Sequence, residues 1–420
     1  MVVANMIGAG VFTTSGYALA DLGDRQFVML AWGIGGVISI CGAVSYGQLA
    51  QRISESGGEY LFLSRLLHPS IGFIAGWVSL LAGFTGAIAF AATAFESYAI
   101  PVSIRPTWLE PGLIGIATIV LFGVLHSVVL KIGLWTQNFI VVLKLILLSG
   151  FIVFAFMTFP SGWDGMQIQT DTAEFSIYAL ASTLVWISLS FSGFNAAVYV
   201  ASEVEDPKRN VPRAMLFGTT IVGLFYLALN FIFVFGTTPE KVKAIPDVAA
   251  IAAQAIGGDF LALLIRIIVS VALLSSVSSM IVAGPRVYAK MASDGVFPKI
   301  FYSKERNQSS IPSAAIWLQV ILASSVVYFS TIKSLLDYLG FTLSVSAALT
   351  VACVFWSRRA QDNRLTRVVY SLIASIYVFA TIGLAVLSVI GRPQQLVGFA
   401  ITIVSGLFVY FLLRWLNRSN

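Results

Sequence analysis

Two long apolar stretches of this chain are interrupted by residues that break helices: Gly8-Ala9-Gly10 in the first, and Ser190-Phe191-Ser192-Gly193-Phe194-Asn195 in the stretch that opens the second half. In hydrocarbon every backbone N–H and C=O needs a partner, and non-helical chain is tolerated only where it is buried in protein or lines a cavity. The interruptions therefore predict a mid-membrane cavity. N–H groups that open a half-helix carry partial positive charge, and carbonyls that close one carry partial negative charge. Two facing breaks can thus hold the carboxylate and ammonium of one zwitterion. Such a site has the shape of an amino acid head group, and breaks at matching places in the two halves point to a transporter.

A membrane setting follows from 58% hydrophobic and only 10% charged residues with a mean hydropathy of +0.90, more apolar surface than a soluble domain can cover. Spanning a bilayer takes about 20 apolar residues. Suitable runs fall at 1–19, 27–50, 70–100, 112–130, 133–159, 175–202, 213–236, 259–290, 313–331, 334–357, 368–390 and 394–416, so twelve segments are predicted. With both termini cytoplasmic, the inner loops and tail hold seventeen of the 25 Lys and Arg residues, among them Arg52, Arg65, Lys131, Lys208, Lys304, Arg306, Arg358, Arg359 and Arg418. The outer loops hold six, and Lys144 and Arg266 lie within segments. This asymmetry predicts a multi-pass protein of the plasma or inner membrane. The net charge of +6 is an orientation signal, and no nucleic-acid partner is inferred from it.

Several classes are disfavoured. Cys41 and Cys353 sit in apolar runs, and neither they nor His68 and His126 have metal-ligand spacing, so no metal and no cofactor is expected. The chain shows no nucleophile–base constellation and no phosphate-binding Gly-x-x-x-x-Gly-Lys-Ser/Thr loop, which disfavours an enzyme or an ATP-driven pump. No cysteine outside the segments suggests a covalent partner subunit, and no obligate protein partner is expected. Met1 stands seven residues before Gly8, a half-helix of about 10 Å where half a hydrocarbon core is about 15 Å. The expectation is that an N-terminal tail and first turn are missing from this sequence.

Four motifs in order resemble the amino acid-polyamine-organocation (APC) superfamily. They are Asn5-Met6-Ile7-Gly8-Ala9-Gly10-Val11-Phe12; Ser56-Gly57-Gly58-Glu59-Tyr60; Gly193-Phe194-Asn195 followed by residues 203–214, from Glu203 to Ala214; and Ala283-Gly284-Pro285-Arg286-Val287-Tyr288 with Ser293-Asp294-Gly295-Val296-Phe297-Pro298. The resemblance covers about residues 1–360. It implies an all-α polytopic LeuT-type fold, a 5+5 inverted repeat with helices 1 and 6 broken, plus two C-terminal helices. Residues 1–159 would form the first repeat, 175–357 the second, and 368–420 the last two segments and tail. It also implies that the amides of Ala9 and Gly10, beside Gly8, receive a substrate carboxylate. The carbonyls of Met6, Leu189, Ser190 and Ser192 would hold its ammonium, with Phe194 as an aromatic lid and Asn195 as a side-chain donor. No Asp or Glu stands at these positions, which favours a neutral amino acid.

Lys144 lies in the middle of the fifth segment, roughly ten residues from either end. A lysine at mid-bilayer costs at least about 2.5 kcal/mol, so it is by default a functional residue. By resemblance it takes the place of a sodium ion between helices 1, 5 and 8, with Asn5, Met6, Ser275, Ser276, Ser278 and Ser279 as expected neighbours. Bracing helices with a fixed ammonium and carrying a proton remain distinct readings of it. Glu96 and Arg266 either pair across an outer vestibule or reach separately to the interface, the latter being favoured. The expected function is a sodium-independent, proton-coupled secondary transporter of a neutral amino acid. The alternatives are an uncoupled exchanger or uniporter, and a non-transporting amino acid sensor.

Overall fold

The computed structural model describes residues 2–101, 104–128, 134–159, 163, 174–302, 313–356 and 364–416. Lys131, Lys304, Arg306, Arg358, Arg359 and Arg418 of the loop count lie outside the described residues. The described chain is helical: α1 (Val2–Met6), α2 (Ala9–Leu22), α3 (Arg25–Arg52), α4 (Gly58–Leu66), α5 (Pro69–Val78), α6 (Ala87–Ala99), α7 (Leu113–Val128), α8 (Leu134–Met157), α9 (Ile177–Phe191), α10 (Pro207–Phe235), α11 (Pro239–Val242), α12 (Val248–Ser293), α13 (Ser313–Phe329), α14 (Ile332–Ala352), α15 (Arg364–Gly391) and α16 (Gln395–Leu416). Among the described residues nine helices are long and apolar enough to cross a bilayer, and Leu113–Ser127 and Ser313–Phe329 are shorter apolar helices. The first expected segment is split into α1 and α2. The chain is thus an all-α polytopic membrane protein.

Local chemistry sets the helix ends. Asp24 caps α3, its carboxylate accepting the Gln26 amide at 2.6 Å, and Thr331 with Ser334 forms a reciprocal capping box on α14. Helix α10 starts at Pro207, a favoured first helical residue. It therefore begins six residues ahead of the predicted 213, across a polar stretch that hydropathy alone assigns to a loop. The third expected segment is continuous through α5 and α6, joined by a π-helical stretch at Ser79–Gly86. The eighth is the longer part of α12, which carries non-helical backbone at Gly257 and Gly258.

Without a hydrophobic drive between helices in lipid, close packing and buried hydrogen bonds hold the bundle. Helices α3 and α9 meet where Gly35 faces the Ile187 side chain, and α3 meets α10 where Gly47 faces Pro212. A polar clasp ties α2, α3 and α10: Trp32 Nε1 donates to Ser15 Oγ at 2.9 Å, Ser15 donates to Asn230 Oδ1 at 2.5 Å, and Asn230 Nδ2 donates to the Tyr226 carbonyl at 2.8 Å. An interhelical bond of this kind contributes about 0.6 kcal/mol on average; the first two cross between helices, and the third, within α10, orients the Asn230 side chain that accepts from Ser15. The lipid-facing sides show the opposite chemistry, with Phe139, Val142 and Ile146 exposed on α8 and Phe408 and Phe411 on α16. Below, the end carrying Arg52, Arg65 and Lys208 is called the basic end, and the other, carrying Arg25, Arg105 and Lys241, the far end.

Candidate functional site

Helix α1 stops at Met6 and α2 starts at Ala9, with Gly8 extended between them at φ −130° and ψ −156°. Ala9 and Gly10 therefore open a helix, and their N–H groups have no carbonyl one turn earlier within it. The second interruption is milder. Helix α9 runs through Ser190 to Phe191 and tightens into a 3-10 stretch, Ser192–Glu203, whose backbone leaves helical values at Val200.

The two interruptions lie against each other. A Cβ on Gly10 would stand 2.5 Å from Ser190 Oγ and 2.7 Å from Ser190 Cα, so only glycine permits this approach. Gly193 likewise faces the main chain of Asn5 and Met6. Thr14 and Ser190 hydroxyls pair at 3.2 Å. The Tyr226 hydroxyl, from α10, sits between the Met6 carbonyl and the Ser190 carbonyl, 3.0 Å from the latter. One phenol thus links both breaks.

Lys144 is 4% exposed and donates to the Ile7 carbonyl at 2.7 Å. Ser276 Oγ lies 3.7 Å from where a Gly8 Cβ would be and donates to the Ala272 carbonyl. The serines of α12 separate by direction: Ser278 pairs with His126 Nε2 of α7 at 2.8 Å, while Ser275 and Ser279 are half-buried. The structure brings Lys144, the Ile7 carbonyl, Gly8 and Ser276 to one place, and it turns Ser278 toward α7.

Three carbonyls expected to receive an ammonium have partners inside the protein. Met6 and Ser190 share the single Tyr226 hydroxyl proton, Met6 also accepts the Gly8 amide at 2.8 Å, and Leu189 accepts the Ser192 amide. A carbonyl has two lone pairs, so a ligand ammonium at Met6 displaces one of its present donors. Phe194 and Asn195 point elsewhere than the sequence suggests. The Phe194 ring packs edge-on against Tyr46 of α3 at 5.3 Å, and Asn195 Nδ2 donates to Glu59 Oε1 at 3.1 Å. Glu59 also accepts from Tyr46 at 2.5 Å and from Ser346 of α14 at 2.7 Å. Burial pushes the Glu59 carboxyl up from its ordinary value, and the bonds from Tyr46, Ser346 and Asn195 oppose that shift.

At the far end, Ala244 N donates to the Gly16 carbonyl at 2.9 Å and Tyr98, bonded to the Phe12 carbonyl at 2.8 Å, accepts the Ala249 amide. The segment before α12 therefore lies across α2. Arg392 pairs with Asp21 and with Asp337, the latter at 3.4 Å, and its guanidinium stacks 4.6 Å above Trp186. Glu96 and Arg266 neither pair with each other nor stand alone at the interface. Glu96 takes Arg105 at 2.8 Å and the amides of Gly112 and Gly115, and Arg266 takes Asp247 at 2.7 Å. Short loop partners, not identifiable from segment positions, satisfy both charges.

Tyr226 was missed by sequence reasoning. Its available signal was the pair Tyr226 and Asn230, polar tips four residues apart on one face of an apolar helix.

The family model described as amino acid permease matches residues 1–413. The human cystine/glutamate transporter is 24% identical, over 99% of this chain and 84% of its own length. The mouse large neutral amino acids transporter small subunit 2 is 25% identical over 98% of this chain and 79% of its own. The human b(0,+)-type amino acid transporter 1 is 22% identical over 98% and 85%.

Proposed function

The chain belongs to the amino acid permease family, and from that premise we propose that it is a secondary transporter of a neutral amino acid working without sodium. Membership carries amino acid transport as the general activity, and the finer reading rests on Lys144. Its ammonium donates to the Ile7 carbonyl at the break between α1 and α2, beside Gly8 and Ser276. A fixed positive charge there supplies what a bound monovalent cation would supply: compensation of the carbonyl end of α1, in low dielectric. The amides opening α2 then take the substrate carboxylate, and the Met6 and Ser190 carbonyls on either side of Tyr226 take its ammonium. The basic end faces the cytoplasm in this reading, and segments 1, 2, 6 and 7 rock against the rest to alternate access. A proton taken and released at Lys144 couples the cycle to a pH gradient.

Uptake of labelled neutral amino acids into proteoliposomes tests each part. Flux is expected to be equal with sodium or choline outside and to rise with an inward proton gradient. Lys144→Ala and Lys144→Met are expected to lose the response to pH. A sodium requirement overturns the role assigned to Lys144, and a parental pH response in both variants removes the proton carrier. That last outcome leaves uncoupled exchange or uniport, a reading favoured by the contact itself, since an ammonium on a carbonyl braces helices without titrating. Substrate-dependent thermal stabilisation without flux would identify a sensor.

A further inference from the structure

Glu59 has no part in that substrate chemistry, yet among the described residues of the basic end it is the carboxyl with the most donors. It opens α4 and is 6% exposed. Its three donors come from three other elements: Tyr46 of α3, Asn195 of the 3-10 stretch after α9, and Ser346 of α14. The approach is built into the main chain. Gly58 has φ +59°, and a Cβ there would stand 2.1 Å from the Tyr199 ring, so no other residue could bring α4 this close to the 3-10 stretch.

We propose that Glu59 is the latch of the basic end: a positioning residue that holds the 3-10 stretch and α14 against α3 while that mouth is shut. Tyr46 and Asn195 both donate to Oε1 and Ser346 donates to Oε2, so the carboxyl is the shared acceptor through which these three elements are joined. A buried carboxyl needs such donors, and the donors need it. Moving the 3-10 stretch outward breaks the Asn195 bond, and water must enter to serve the groups left behind. The latch therefore sets how often the site opens toward the basic end. It rests on the alternating-access reading, but its test needs no substrate or flux and so fails separately from an uptake assay.

The reporter is native. Cys353, seven residues beyond Ser346, lies on the same face of the α14 end and is fully buried, and the other of the two cysteines is Cys41. In a Cys41→Ser background in nanodiscs, the rate of Cys353 alkylation by a charged maleimide measures opening. Glu59→Ala strands three donors and is expected to raise that rate roughly tenfold, and Ser346→Ala, which removes one donor, roughly threefold. Glu59→Gln is expected to stay within about twofold of the parent, because its amide oxygen accepts from Tyr46 and Asn195 while its NH2 donates to Ser346 Oγ. Unchanged labelling in Glu59→Ala overturns the proposal, as does a Glu59→Gln rate equal to that of Glu59→Ala. Should Glu59→Ala fail to fold, unchanged labelling in Ser346→Ala overturns it, and a rise in Ser346→Ala with a near-parental Glu59→Gln sustains it.

Discussion

Two polar clusters at opposite ends of the bundle join helices by different chemistry. In the far-end cluster the link is ionic: Arg392 lies between Asp21 of α2 and Asp337 of α14, with side chains 25%, 11% and 24% exposed. At the basic end one carboxyl, 6% exposed, gathers three neutral donors. Helix α14 takes part in both, since Asp337 and Ser346 stand nine residues apart, about 14 Å along the helix. Partly hydrated charges attract over distance but are screened by salt, whereas buried neutral hydrogen bonds are short-ranged and depend on geometry. The contrast predicts that the Arg392 cluster responds to ionic conditions and the Glu59 cluster to side-chain shape.

The largest expected effect falls on the contact between the two breaks, which joins α2, carrying Asp21, to the helix that runs into the Asn195 stretch. Gly10→Ala places a methyl against Ser190 main chain, and is expected to cost about 3 kcal/mol in overpacking, to lower the thermal midpoint and to perturb accessibility at both ends. A Gly10→Ala protein with normal uptake and unchanged accessibility would break the idea that the Gly10–Ser190 approach couples the two clusters. Next, Arg392→Ala leaves Asp21 facing Asp337 with only the more distant Lys333 as a cation, for an expected loss of about 2 kcal/mol, reduced from a fully buried pair by partial hydration. Its effect should fall on labelling from the far end and spare Cys353; equal changes at both ends would erase the distinction. Tyr226→Phe removes the hydroxyl between the Met6 and Ser190 carbonyls, and is expected to cost about 1 kcal/mol and to raise the KM for uptake about fivefold. The smallest effect is that of salt. Raising ionic strength from about 0.05 M to about 1 M should loosen the Arg392 cluster by a few tenths of a kcal/mol and leave Cys353 labelling unchanged.

Apolar length made most helices legible, and Lys144 stood out because a charge deep in an apolar run is rare. Its acceptor did not. Ile7 offers only a main-chain carbonyl, and nothing in sequence distinguishes one carbonyl from another. Phe194 and Asn195 adjoin the second break in sequence, but helical geometry turns them toward α3 and α4, because the 3-10 stretch rotates successive side chains by about 120°. Glu59 was visible as part of a motif without a role, since its three donors lie 13, 136 and 287 positions away. Helix α10 outran its predicted start because proline at a first helical turn is a geometric signal that hydropathy ignores.

Taken alone, the sequence determined the membrane setting, the rough limits of most apolar segments, and the place where the first helix could not continue. Those follow from composition and from the demand that backbone polar groups be satisfied in hydrocarbon. Only the tertiary structure decided which residues meet: Tyr226 between two carbonyls, Lys144 on Ile7, Arg392 between two aspartates, and Glu59 among donors from three elements. Contacts between distant segments depend on helix rotation and register, which apolar sequence scarcely encodes because lipid accepts any hydrophobic face.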